Sequence, residues 1–127
     1  MDGQKLEGTQ LKNFTPVDSV TELQIIDIAE GDGPVVPEGA TITAHYTGAR
    51  CKDGVIFQSS HDFGKDGITF PLSGVIAGWT KGVPGMKVGG TRRLIIPAAM
   101  AYGSQSPSAN IPPNSDLVFD IELVSIS

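Results

Sequence analysis

The sequence predicts an α+β fold: five or six antiparallel strands in a strongly twisted sheet wrapped on one short helix. Short runs of apolar/polar alternation recur along the chain. The clearest has Leu117, Phe119, Ile121 and Leu123 alternating with Asp116, Val118, Asp120 and Glu122, the period-2 pattern of a strand with one buried face. Between the runs lie short segments rich in turn-formers, with 16 glycines and 9 prolines among 127 residues. Parallel strands need crossovers of about a dozen residues or more, so antiparallel pairing is expected. With 39% hydrophobic residues, the chain has enough apolar surface for one core and lacks the composition of a disordered segment.

Residues 1–20 are polar, with Leu6, Leu11, Phe14 and Val17 scattered through them. They are expected to be a loosely ordered extension before a domain over 21–127, docked through Phe14 and Pro16 as an added strand. Leu23 to Ile28 alternates as a strand and is broken by Glu30-Gly31-Asp32-Gly33-Pro34. From Ala40 to Thr47, Ile42, Ala44 and Tyr46 share one face, while Thr41, Thr43 and His45 share the other. Lys52-Asp53-Gly54 supplies a turn, and Val55-Ile56-Phe57 restarts a strand. Ile68 to Leu72 is a short strand in which Pro71, lacking an N–H, marks an edge or an end. Residues 76–82 fit one or two helical turns around Trp79, ended by Gly82-Val83-Pro84-Gly85. Thr91 to Ile96 is a strand closed by Pro97, Ala98 to Ala101 a further helical turn, and Gly103 to Asn114 a long loop before the last strand.

Several functions are excluded early. The net charge is −5 without a basic block, so neither nucleic acid nor an anionic membrane surface is an expected partner. No apolar run approaches membrane-spanning length, and the amino terminus lacks the basic-then-apolar pattern of a signal peptide; a cytoplasmic location is expected. Cys51, the single cysteine, allows no internal disulfide and is expected to be an incidental surface thiol. His45 and His61 lack metal-ligand spacing, so neither a metal nor a cofactor is expected. No phosphate-cradling glycine motif and no G-x-S-x-G elbow is present. Ser59-Ser60-His61 reads as a solvated turn, since adjacent residues rarely face one another productively. Arg92 and Arg93 point to opposite faces of their strand and are expected to be solvated or salt-bridged.

The remaining signal is aromatic. Trp79, the only tryptophan, lies among Gly74, Gly78, Gly82, Gly85, Gly89 and Gly90. A large ring beside many turn-formers reads either as a pocket floor or as core packing, and core packing is the commoner case. Tyr46, Phe57, Phe70, Tyr102 and Phe119 stand on other expected elements or loop edges.

Ordered segments join these residues. They are His45-Tyr46-Thr47-Gly48, Asp53-Gly54 before Phe57, Gly74-Val75-Ile76-Ala77-Gly78-Trp79, Gly82-Val83, Met86-Lys87-Val88-Gly89, Ala101-Tyr102-Gly103, and Ile111-Pro112-Pro113-Asn114 followed by 117–123. Over residues 23–126 the set resembles the FKBP-type peptidyl-prolyl isomerases. The resemblance implies a half-barrel sheet curled around one short helix and cis–trans isomerisation of Xaa-Pro bonds. It implies Trp79 as pocket floor, Tyr46, Phe57 and Phe119 as walls, and Val75 and Ile76 as lining, with the Ile76 amide near a ligand carbonyl. Tyr102 and Ile111 would border the mouth, and Ile68 and Phe70 would flank it. Proline-containing segments, and FK506- or rapamycin-type macrolides, would be the partners of a monomer working without cofactor or metal.

Two positions depart from the family. Many members carry an aspartate where this chain has Gln58, and a basic residue where the alignment puts Phe63. Losing the carboxylate removes the need for its cation, and both changes bear on turnover and macrolide affinity. Pro107 and Asn110 also differ from common members and bear on substrate choice at the rim. Two other classes stay open on the sequence: a proline-peptide or macrolide-binding module with little turnover, and an interaction domain acting through its N-terminal extension.

Overall fold

The computed structural model describes residues 8–11, 14–62, 67–106 and 111–126; Phe63, Pro107 and Asn110 lie outside them. Among these residues six strands form one antiparallel sheet: β1 (Gln24–Ala29), β2 (Thr41–Arg50), β3 (Ile56–Ser59), β4 (Ile68–Pro71), β5 (Thr91–Ile96) and β6 (Leu117–Ile126). The order is β1-β5-β6-β2-β3, and β4 also pairs with β2. The one α-helix among the described residues, α1 (Ala77–Gly82), is accompanied by 3-10 turns at Ser60–Asp62, Leu72–Gly74 and Ala98–Met100. The antiparallel sheet and short helix expected from the alternations are thus present.

The helix lies on β5 because two glycines let it. A Cβ on Gly78 would stand 2.6 Å from Ile96 Cδ1, and one on Gly82 2.7 Å from Leu94 Cδ2. Helix and strand therefore approach more closely than side-chain-bearing residues permit. Leu94 and Ile96 are fully buried beneath α1, in a core that also holds Ile42, Leu72, Val83, Leu117, Ile121 and Trp79. Arg92 fastens the same region. It pairs with Asp27 of β1 at 2.6 Å and donates to the carbonyl of Gly82 at 2.8 Å. Arg93 points the other way and pairs with Asp120 at 2.6 Å, which holds its pKa above the ordinary value. Both arginines are salt-bridged on opposite faces, as their alternation requires.

The outer face of the sheet carries a second apolar cluster: Leu11, Val20, Ala49, Cys51, Ile56 and Val118, with Phe14 and Ile95 packed against it. Residues 8–11 run antiparallel to the start of β3: Gly8 N–H donates to Ile56 O at 2.8 Å, and Ile56 N–H donates to Thr9 O at 2.8 Å. Phe14 lies under the Arg93 guanidinium, 5.7 Å from its ring centre. The N-terminal segment thus docks in the manner of an added strand, with Leu11 and Phe14 reaching the sheet. Cys51 is a correction to the sequence reading. It is fully buried in this cluster, because the extension and Val118 cover a position that looks polar from its neighbours Arg50 and Lys52.

Candidate functional site

The inner face of the sheet and the near end of α1 enclose a partly open cavity of about 350 Å³. It is lined by Tyr46, Phe57, Gln58, Phe70, Gly74, Val75, Ile76, Trp79, Tyr102 and Phe119. Trp79 reaches it because Gly78 and Gly82 bring α1 down onto β5. Its ring is buried, with Tyr46, Phe70 and Phe119 around it edge-on at centroid distances of 5.6, 5.1 and 5.4 Å. Phe57 meets Phe119 edge-on at 5.7 Å. Edge-to-face packing satisfies the ring quadrupoles and fixes the walls relative to one another. Trp79 Nε1 is buried and has no hydrogen-bond partner among the described residues.

Tyr46 is held at both ends. Its hydroxyl donates to Gln58 Oε1 at 2.8 Å. Burial first, and the neighbouring Tyr102 second, raise its pKa above the ordinary 10.0, so it is a neutral hydroxyl at physiological pH. Its backbone lies opposite a gap in the sheet. β2 pairs with β4 through residues 41–44 and with β3 through residues 47–49, leaving 45 and 46 opposite no strand of the described residues on that edge. Two serine hydroxyls fill the gap. Ser60 Oγ accepts from Tyr46 N–H at 2.7 Å and stands 3.3 Å from Tyr46 O, as does Ser59 Oγ. Both serines are buried, which corrects the reading of 59–61 as a solvated turn. A buried N–H must be paired, and here the partner comes from outside the ladder. His45 Nδ1 joins the same Ser60 hydroxyl at 2.9 Å.

Two of the positions expected to border the pocket do not line it. Ile68 pairs with Ala44 two residues before Phe70; two residues along a strand move a side chain about 6.6 Å, so it packs half-buried on the core instead. Ile111 is buried within that core, its side chain spent on packing. Gly74, which the site reading omitted, does line the cavity. Gly48 was also missed: a Cβ there would stand 2.6 Å from Phe57 Cζ and 2.7 Å from Phe119 Cε2. A glycine inside a strand pattern is the signal that marks such close approach.

Among the described residues no group of three or more histidine, cysteine or acidic side chains is placed to hold a metal. The cavity offers apolar ring faces, the hydroxyls of Tyr46 and Tyr102, the Gln58 amide, and the Ile76 N–H, which makes no hydrogen bond within the described residues. Such a set can hold a compact apolar ring and orient a carbonyl.

The sequence model described as FKBP-type peptidyl-prolyl cis-trans isomerase matches residues 33–124. The chain belongs to this family. It is 44% identical over 108 residues to an FK506-binding protein of Streptomyces anulatus, covering 83% of this chain and 86% of that one. It is 46% identical over 90 residues to the peptidyl-prolyl cis-trans isomerase FPR2 of Saccharomyces cerevisiae, covering 69% and 66%. Among solved structures, a peptidyl-prolyl cis-trans isomerase of Pseudomonas syringae superposes with a TM-score of 0.73 at 32% identity, covering 83% of this chain and 75% of that one. The protein is a peptidyl-prolyl cis-trans isomerase of FKBP type, and its aromatic cavity lies within the matched residues.

Proposed function

We propose that this isomerase turns the Xaa-Pro bond inside the cavity floored by Trp79, with Tyr46, Phe57, Phe70 and Phe119 as walls. The observation carrying this reading is the convergence of four edge-to-face aromatic contacts on one partly open cavity. The barrier to be lowered is about 18–20 kcal/mol, and it arises from amide resonance. A bond twisted out of plane loses that resonance and carries less charge separation than the planar amide. A water-poor, aromatic surround therefore favours the twisted state over the planar one, which is differential stabilisation of the kind that raises a rate.

In this reading the proline ring occupies the aromatic bowl while Val75 and Ile76 hold its near edge. The Ile76 N–H, unpartnered among the described residues, orients a substrate carbonyl, and the Tyr102 hydroxyl acts as a second donor in the cavity lining. Tyr46 braces Gln58 and the ring cluster. No nucleophile or general base takes part, because no bond is made or broken. The substrates are flexible or unfolded chains, in which uncatalysed prolyl exchange takes tens to hundreds of seconds and slows folding. The same bowl is proposed to take FK506- or rapamycin-type macrolides.

The single tryptophan supplies a direct test. Titration with an Xaa-Pro peptide or FK506 is expected to change Trp79 emission saturably. Turnover or binding with no change in Trp79 emission would contradict the placement of the site.

A further inference from the structure

We propose that Gln58 sets the charge preference of the enzyme at the residue before proline, so that acidic Xaa side chains are accepted. The proposal rests on the reading of the cavity as the prolyl site. A cavity of about 350 Å³ that holds the proline ring leaves the Xaa side chain to pass over its mouth. Gln58 follows the wall residue Phe57 on β3 and is exposed, yet it lines the same cavity, so an Xaa side chain leaving the cavity on that side meets it. None of the ten described lining residues carries a formal charge.

The hydrogen bonding shows what Gln58 offers. Its Oε1 is occupied by the Tyr46 hydroxyl at 2.8 Å. Its Nε2 carries two N–H groups and has no protein partner among the described residues. A carboxylate here would accept the same Tyr46 proton but would set a negative charge against an acidic Xaa side chain. The amide accepts the same Tyr46 proton, less strongly than a carboxylate would, and presents donors instead. A neutral donor facing a carboxylate makes a charge-assisted hydrogen bond, whereas like charges in juxtaposition repel. The chain's net charge of −5 acts over longer distances and is screened beyond about 8 Å at physiological salt.

The test compares kcat/KM for peptides differing only in Glu, Gln or Lys before proline, at 0.15 M salt. For the wild type, the Glu-to-Gln ratio is expected to stay within about threefold of one, since a donor offsets the residual surface repulsion. Gln58→Glu should lower that ratio about tenfold through repulsion at close range. Gln58→Lys should raise it and lower the Lys-to-Gln ratio, and 1 M salt should shrink both effects. A wild type that already disfavours Glu by tenfold overturns the proposal without any variant. So do ratios that move the same way in both variants, which would mark a purely structural role. Phe119→Ala separates the two readings. If it abolishes turnover of all three peptides while the ratios ignore residue 58, only the charge proposal fails. If it leaves turnover intact, the cavity reading fails and this proposal falls with it.

Discussion

Gly48 of β2 lies so close to Phe119 of β6 that a Cβ would stand 2.7 Å from Phe119 Cε2. The two residues are cross-strand partners, and Phe57 crowds the same point from β3. Because both rings line the cavity, the room for a methyl group can come only from pushing them into it. Gly48→Ala is expected to cost about 1–3 kcal/mol of stability, as overpacking does. It should also lower kcat/KM by about ten- to a hundredfold, since displacements near 1 Å are felt on that scale. Denaturant unfolding and peptide isomerisation measured on one sample check both; an unchanged rate would mean the rings do not shape the site.

Ser60 supports Tyr46 from behind its backbone. Ser60→Ala removes the acceptor of the buried Tyr46 N–H and a partner of His45. A buried donor left unpaired costs about 1–3 kcal/mol, and that loss is expected in urea unfolding. Ser60→Thr keeps the hydroxyl and should recover part of it. Equal losses in the two variants would show that packing, rather than the hydroxyl, matters.

Removal of residues 1–20 should destabilise the protein, because Leu11 and Val20 are buried in the outer cluster. Each buried aliphatic side chain contributes about 1.5–3 kcal/mol, so a fall in Tm of about 10 °C or more is expected for a chain of this size. Cys51 should then react with a thiol reagent under native conditions, where the full chain protects it. A truncated chain with an unchanged Tm and a silent thiol would show the extension to be dispensable.

Burial, reinforced by the nearby Asp116, pushes the Cys51 thiol from its ordinary 9.0 up to about 12. The raised value means that the folded chain holds this proton more tightly than the unfolded one. The stability it contributes is complete below about pH 9 and is lost as pH rises toward 12. Thermal melts from pH 8 to 11 should therefore fall for the wild type and fall less steeply for Cys51→Ala. Parallel pH profiles for the two proteins would contradict this.

The last strand was legible because period-2 alternation over 117–123 is a local property, with Glu122 exposed between the buried Ile121 and Leu123. Trp79 and its glycines located the helix for the same reason. Long-range partners were not legible. Ser59 and Ser60 look like a polar turn until the gap between β3 and β4 leaves Tyr46 needing their hydroxyls. Cys51 looks exposed until Leu11 and Val20 fold back over it. β1 alternates in sequence yet is exposed along its whole length, since it is held by β5 at the sheet edge and by the Asp27–Arg92 pair rather than by a buried face. The order of aromatics along the chain was readable; that Ile68 and Ile111 spend their side chains on the core was not.

The decisive measurement is NMR exchange spectroscopy on an Xaa-Pro peptide with catalytic amounts of protein, wild type against Phe119→Ala, each checked for folding by its near-ultraviolet spectrum. The wild type should speed cis–trans exchange far beyond the uncatalysed scale of tens to hundreds of seconds. A folded Phe119→Ala should lose at least about tenfold of that acceleration, equivalent to about 1.4 kcal/mol of lost transition-state stabilisation. A folded Phe119→Ala that exchanges the peptide as fast as the wild type would place the reaction somewhere other than the cavity beside Trp79.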